Sequence, residues 1–306
     1  MNLRERVENL VKYCGQYQSH GFMIDERNQD QSFDIQMPEE KKINEDIERL
    51  NIILLTGEAG DGKSRILRNI ERKLKENGFS EPCRDFSALN EEEKKALIGR
   101  MKAILSREST EKILILANIG IFTQSVLQVD THLMEQLTSG REDVYLCNFE
   151  NRNLAEDVGI FGKIVKDFLS YDDNMQGCER CAWANKCIYQ QNIDALLTEE
   201  GTEAMRTICN AIYLTGGHIT FRELLSLLAY AVCFGQDCTE RQKLLEDIPT
   251  MAAEGMQKYL YYNIFESSND ILLSKVAAMD PAKKRGEGIK KSARKGIKTK
   301  ADYIRI

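Results

Sequence analysis

The chain has 306 residues, of which 42% are hydrophobic, 29% charged and 8% aromatic, with only four prolines and a formal net charge of −6. That much apolar material fills the core of an α/β domain and of a smaller helical lobe, which excludes disorder as the main description. Collagen-like, mucin-like and small disulfide-stapled architectures are excluded by the same composition.

The first residues include Arg4, Glu5, Arg6 and Glu8 and lack the apolar stretch of a secretory signal, so a cytoplasmic protein is expected. Leu3, Val7, Leu10 and Val11 recur at helical spacing. From residue 15 to 38 that period gives way to a polar, Gln- and Asp-rich stretch, and residues 1–38 read as an N-terminal helix with a polar arm. Residues 39–50 recover the helical pattern, with Ile43, Ile47 and Leu50 on one face. Residues 51–56, NIILLT, are a short apolar run of the kind buried on both faces of a parallel sheet.

Immediately after it, Gly57-Glu58-Ala59-Gly60-Asp61-Gly62-Lys63-Ser64 fits the phosphate-loop pattern G-x-x-x-x-G-K-[ST]. A helix is expected from about Lys63, with Ile66, Leu67, Ile70 and Leu74 on its buried face. The motif needs this strand-loop-helix setting. Glycines let successive backbone N–H groups converge on an anion, and the helix adds the positive end of its dipole. Lys63 is then placed for the β- and γ-phosphates of ATP and the Ser64 hydroxyl for Mg²⁺.

A hydrolytic acid is harder to find. The next apolar run, residues 113–117 (ILILA), ends in Asn118 rather than a carboxylate, and residues 144–147 (VYLC) run into Asn148, Phe149 and Glu150. Asn118 or Asn148 can orient a water, Glu150 is the nearest carboxylate to serve as base, and Asp85 is a candidate for the metal's outer shell if the segment around Cys83 is a strand. Each of these polar residues can equally end a strand or cap a helix.

Helical stretches at residues 91–107 and 125–137 alternate with these strands, so residues 39–153 read as a P-loop NTPase core, a parallel sheet with helices on both faces. Counting the weak segment near Cys83, four strands are expected. Residues 154–280 form a helical lobe, opened by the period of Leu154, Val158, Phe161, Ile164, Val165 and Phe168. The longest uncharged apolar run is only residues 224–234 and reads as a core helix, far short of the roughly 20 residues that cross a bilayer.

Nine cysteines is an odd number, and Cys178, Cys181 and Cys187 stand at C-x2-C-x5-C spacing. In a reducing compartment this suggests a zinc knuckle more than a disulfide framework. A closed site needs a fourth ligand, and Cys238, Cys233 and His218 are the possible donors. Three buried or free thiols are the plainer reading, and spacing alone does not separate zinc from an iron–sulfur cluster.

Gly216 and Gly217 make a turn before Thr220 and Glu223, a T-x-x-E capping box that starts the next helix. Arg222 lies on its first turn, either reaching back to a nucleotide or simply on the surface. His20, His132 and His218 are the only histidines, and none has a Ser or Cys partner in sequence for a triad. Residues 281–306 carry ten basic residues against Glu287 and Asp302, a tail of +8 on a body of −14. Such a tail follows a phosphate backbone, or is merely solvated.

GEAGDGKS after an apolar strand, ILILANIGIF, NFENRNL, the three-cysteine cluster and GGHITFRELL, in this order from Leu50 to Cys238, resemble the P-loop ATPase component of phosphorothioation-dependent DNA restriction systems, the DptF type. The resemblance implies an ATPase that acts with other subunits of a defence complex against DNA lacking the sulfur modification. It implies phosphate binding at residues 57–64 and a sensor-like role for Asn118. An ATPase that couples nucleotide state to a DNA-related assembly is the leading expectation, with Arg222 or Arg152 sensing the γ-phosphate and a homo-oligomer compatible with it. A non-hydrolysing nucleotide-binding scaffold that recruits partner proteins or DNA is the alternative. A small-molecule kinase is weaker, because no lid arginine cluster is visible.

Overall fold

The structure is a computed structural model that describes residues 1–15, 35–172, 178, 179, 181, 184, 187–240, 264 and 276. These group into two units. Helix α1 (Leu3–Gly15) joins the helices that follow Asn153, while residues 35–152 and Thr220–Arg222 form the unit that carries the sheet. His20 and the basic residues 281–306 lie outside the described residues.

In the sheet unit, α2 (Pro38–Asp46) begins with proline, whose missing N–H is harmless in a first turn, followed by Glu39 and Glu40 at the positive end of the helix dipole. Strand β1 (Ile52–Thr56) is buried at every residue. It is the middle strand: β2 (Ile113–Ala117) and β3 (Val144–Asn148) pair parallel to it on either side. Side chains alternate across the pleat, so each strand supplies two cores. Ile53, Leu55, Leu114 and Leu116 pack with Ile43 of α2 and with Ile66, Leu67 and Ile70 of α3 (Lys63–Glu76). Ile52, Leu54, Ile113 and Ile115 pack on the opposite face. Their partners are Ile98 and Met101 of α4 (Glu91–Leu105), Phe122 of α5 (Ile119–Val129) and Leu133 of α6 (Leu133–Thr138). The result is a small parallel sheet flanked by helices.

Two local expectations are corrected. Cys83 forms a single bridge to Ile115 rather than a strand, bonded through Cys83 N to Leu114 O (2.9 Å) and Leu116 N to Cys83 O (2.9 Å). Pro82 lacks the N–H to extend the ladder on one side, and on the other Asp85 caps the 3-10 turn Phe86–Ala88. The helix expected over 125–137 is two helices, α5 and α6, because the chain turns extended at Asp130.

The helical unit contains α1, α7 (Val158–Leu169), α8 (Ile188–Leu197), α9 (Glu199–Leu214) and most of α10 (Phe221–Cys233). The apolar run lies in α10, where Leu224, Leu227, Leu228 and Ala231 are fully buried. Side chains of α10 satisfy the carboxyl end of α1: Ser226 Oγ donates to Tyr13 O (3.1 Å) and Tyr230 OH to Cys14 O (2.7 Å). The Tyr13 ring meets Phe168 edge-on at 4.9 Å. Among the described residues, no helix is long and apolar enough to cross a membrane.

Candidate functional site

The sheet has a topological switch beside β1, because the chain runs from β2 on one side of it to β3 on the other. Ligands of open α/β sheets bind at the carboxyl ends of strands at such a point. Here those ends are level: Thr56 pairs with both Ala117 and Asn148. The glycine-rich turn leaves β1 at this row, and Asn118, Asn148 and Glu150 follow the flanking strands.

The turn is held together from within. Gly57 (φ 148°) is packed so closely that a Cβ there would meet Asp61 Oδ2 at 2.5 Å and Phe149 Cβ at 2.9 Å. At Gly60 (φ 100°) a Cβ would meet Arg222 Cβ at 2.9 Å. Asp61, 1% exposed, accepts the Glu58 N–H at Oδ2 (2.6 Å). Lys63 Nζ donates to the carbonyls of Gly57 (2.9 Å) and Glu58 (2.7 Å). α3 starts at Lys63 from Gly62, and no side chain caps its first N–H groups. Glu58, Ala59 and Ser64 are exposed.

Outside the turn, two arginines brace it. Arg152 donates Nη2 to Asp61 O (2.7 Å), and its guanidinium lies 4.6 Å over the Phe149 ring and 3.5 Å from Glu39. Arg222 braces Gly60 through its main chain, N–H to Gly60 O (3.0 Å). Both arginines proposed as nucleotide sensors therefore touch the turn.

Burial lowers the Lys63 ammonium below its ordinary value, opposed by the charges of Asp61, Asp85, Glu150 and Glu58. The two carboxylates picked from sequence, Asp85 and Glu150, are thus both within electrostatic reach of Lys63. Capping engages the neighbouring polar groups. Asn118 Oδ1 accepts the N–H groups of Gly120 (3.0 Å) and Ile121 (3.2 Å) at the start of α5, and Asn148 Oδ1 accepts that of Glu150 (3.2 Å). Asp85 Oδ1 accepts the Ser87 N–H (2.8 Å).

The cysteines weighed as metal ligands, Cys178, Cys181, Cys187, Cys233 and Cys238, belong to the helical unit. Cys178 and Cys181 share a turn closed by Cys181 N–H to Cys178 O (3.0 Å), and Cys187 is the N-cap residue of α8. Burial pushes the Cys238 thiol up to about 12, with Cys187 and Cys178 adding to the rise, Arg4 opposing it and Cys181 adding again. Cys233 turns elsewhere, 3.6 Å from Cys14 Sγ and donating to Ala229 O (3.2 Å). Among the described residues, no three Cys, His, Asp or Glu side chains already stand in a metal-holding arrangement.

Sequence reasoning missed the bracing of the turn. It also missed a buried polar group beside α3, where Glu40 accepts from Asn69 Nδ2 (3.1 Å) while its Oε1, Glu39 Oε2 and Asn44 Oδ1 find no partner. The signal was present: Glu40 precedes Ile43 and Ile47 at helical spacing on the buried face. No protein family, curated protein or solved structure matches the chain.

Proposed function

We propose that residues 57–64 bind the phosphates of ATP and that the protein is an ATPase. The observation that supports this best is a Gly-x4-Gly-Lys-Ser turn leaving the middle strand of a parallel sheet and entering a helix whose first turn lacks a side-chain cap. Uncapped N–H groups and the helix dipole attract phosphate. Lys63, which now donates to two carbonyls of its own turn, exchanges them for the β- and γ-phosphate oxygens. A turn with no room for a Cβ at Gly57 or Gly60 suits close approach of backbone to ligand.

The oxygen donors around the turn fit magnesium. The exposed Ser64 hydroxyl would hold it, with Asp85 in its outer shell, and the ion would neutralise charge on the β- and γ-oxygens. Glu150 is the carboxylate to take the proton of the attacking water, and the products are ADP and phosphate. By the resemblance in sequence, this cycle serves a DNA restriction complex, whose partners and DNA are met in part through the basic residues 281–306.

One feature favours a non-hydrolysing scaffold instead: β2 ends in Asn118, whose oxygen caps α5, where an acid would be expected. Phosphate release separates the two readings. An ATPase binds ATP with magnesium, loses binding in Lys63→Ala, and keeps binding but loses turnover in Glu150→Gln or Asp85→Asn. Binding without turnover, with or without DNA, establishes the scaffold; no binding of ATP removes both.

A further inference from the structure

The carboxyl ends of α1 and α10 meet in the helical unit, and each carries a cysteine there. Cys14 Sγ lies 3.6 Å from Cys233 Sγ, although the two residues are 219 positions apart in sequence. Both are thiols, each 2% exposed. The backbone on either side of the pair is fastened: Tyr230 OH donates to Cys14 O (2.7 Å), Asn192 Nδ2 to Val232 O (2.9 Å) and the Gln236 N–H to Cys233 O (2.9 Å). In the turn after α10, a Cβ at Gly235 would stand 3.6 Å from Cys14 Cβ, so the Cys14 side chain lies directly against that turn. The fold thus holds the two sulfurs in contact. A disulfide of about 2.05 Å needs them only about 1.5 Å closer, a change that side-chain rotation supplies.

We propose that Cys14 and Cys233 form an oxidative modification site, which hydrogen peroxide converts to a reversible disulfide joining the end of α1 to the end of α10. Because Cys233 already donates to Ala229 O (3.2 Å), the hydrogen between the two sulfurs comes from Cys14. That bond holds the Cys233 thiol below its ordinary range against burial, helped by the backbone N–H groups of Gly235 and Gln236. Burial without such a partner does the reverse, pushing Cys209 up to about 12. Cys233 is therefore the nucleophile. Its thiolate attacks one oxygen of the peroxide, the O–O bond breaks, and hydroxide leaves to take up the proton the thiol released, which puts a sulfenic acid on Cys233. The Cys14 sulfur then attacks the Cys233 sulfur, the S–O bond breaks, and the second hydroxide leaves with the Cys14 proton as water. Two electrons pass from the sulfurs to the peroxide, and each disulfide is formed with two waters. Burial selects the oxidant: hydrogen peroxide is close to water in size and enters where a bulky disulfide such as that of glutathione does not. Both cysteines sit in the last turn of a helix, where local opening is easiest. A small dithiol returns both thiols by exchange. This site is independent of the ATPase reading.

Hydrogen peroxide treatment of the reduced full chain, followed by blocking of the remaining thiols under denaturing conditions and peptide mapping, tests it. The expected product is a pair of peptides joined through Cys14 and Cys233, lighter by two hydrogens than the separate thiols and parted again by dithiothreitol. A cross-link between residues so far apart in sequence also restricts the unfolded chain, so Tm is expected to rise by roughly 5 °C or more. Cys14→Ser gains oxygen on Cys233 and forms no cross-link there, and Cys233→Ser leaves Cys14 unoxidised at the same peroxide dose. Should either variant fail to fold, the map of the unaltered protein decides. Recovery of Cys14 and Cys233 as blocked thiols after other cysteines have been oxidised overturns the site, as does either of them joined to a different cysteine, or Cys233 carried on to sulfinic acid with no disulfide formed.

Discussion

Arg152 donates its Nη2 to the main-chain carbonyl of Asp61 at 2.7 Å. The same guanidinium stacks on Phe149 and faces Glu39, the Arg152 and Glu39 side chains being only 13% and 11% exposed. Replacing Arg152 by alanine strands the Glu39 carboxylate and the Asp61 carbonyl together. The expected cost is about 2–3 kcal/mol, read from urea unfolding. Arg152→Lys recovers less than half of it, because an ammonium neither stacks nor forks. A variant as stable as the unaltered protein would show that the brace is ornamental.

Gly57→Ala pushes a methyl against Asp61 Oδ2 and Phe149 Cβ at a positive φ. Crowding is expected to add to conformational strain, for about 2–3 kcal/mol in all. Gly78→Ala is the control. It too has a positive φ (77°), but open space around it, so only about 1 kcal/mol is expected. Equal losses in the two variants, measured in the same denaturant series, would refute the crowding account.

Asn118 separates a cap from a sensor. Asn118→Ala removes the acceptor for Gly120 and Ile121 and is expected to cost about 1 kcal/mol. Asn118→Ser keeps a capping oxygen and most of that stability. If the side chain also senses the γ-phosphate, phosphate release falls in both variants; if it only caps, release by Asn118→Ser stays at the level of the unaltered protein.

Glu40 is 4% exposed, and burial raises its carboxyl above the ordinary value of 4.5, against the opposing pull of Asn69 and Arg65. The folded state therefore holds this proton more tightly than the unfolded chain does. Stability contributed by Glu40 is full below pH 4.5 and falls as pH rises from there through its raised value. Glu40→Gln keeps an acceptor for Asn69 and carries no charge to bury. It is expected to gain about 1 kcal/mol at neutral pH, or roughly 2–4 °C in Tm, with the gain vanishing toward pH 4. A gain independent of pH would contradict the ionisation argument.

The middle strand, the glycine-rich turn and α3 are legible in order along the chain. Ile52 to Thr56 cannot be anything but buried, and Ile66, Leu67, Ile70 and Leu74 mark one helical face, all buried as the period demands. Cys83 was misread because one apolar residue between Pro82 and Asp85 carries no period to judge by. Asn118 was open to two readings because a strand end and a helix start share it, and the same oxygen can cap or hold a water.

Repeating patterns speak through the local chain because backbone hydrogen bonds and alternate burial recur every two or four residues. No such repeat announces that Arg222 covers Gly60, that Arg152 grips Asp61, or that Cys14 meets Cys233. Those meetings depend on side chains far apart in sequence arriving at one place once two cores have packed. Their partners are chosen by shape and by the cost of leaving a buried polar group alone, neither of which any single stretch of residues contains.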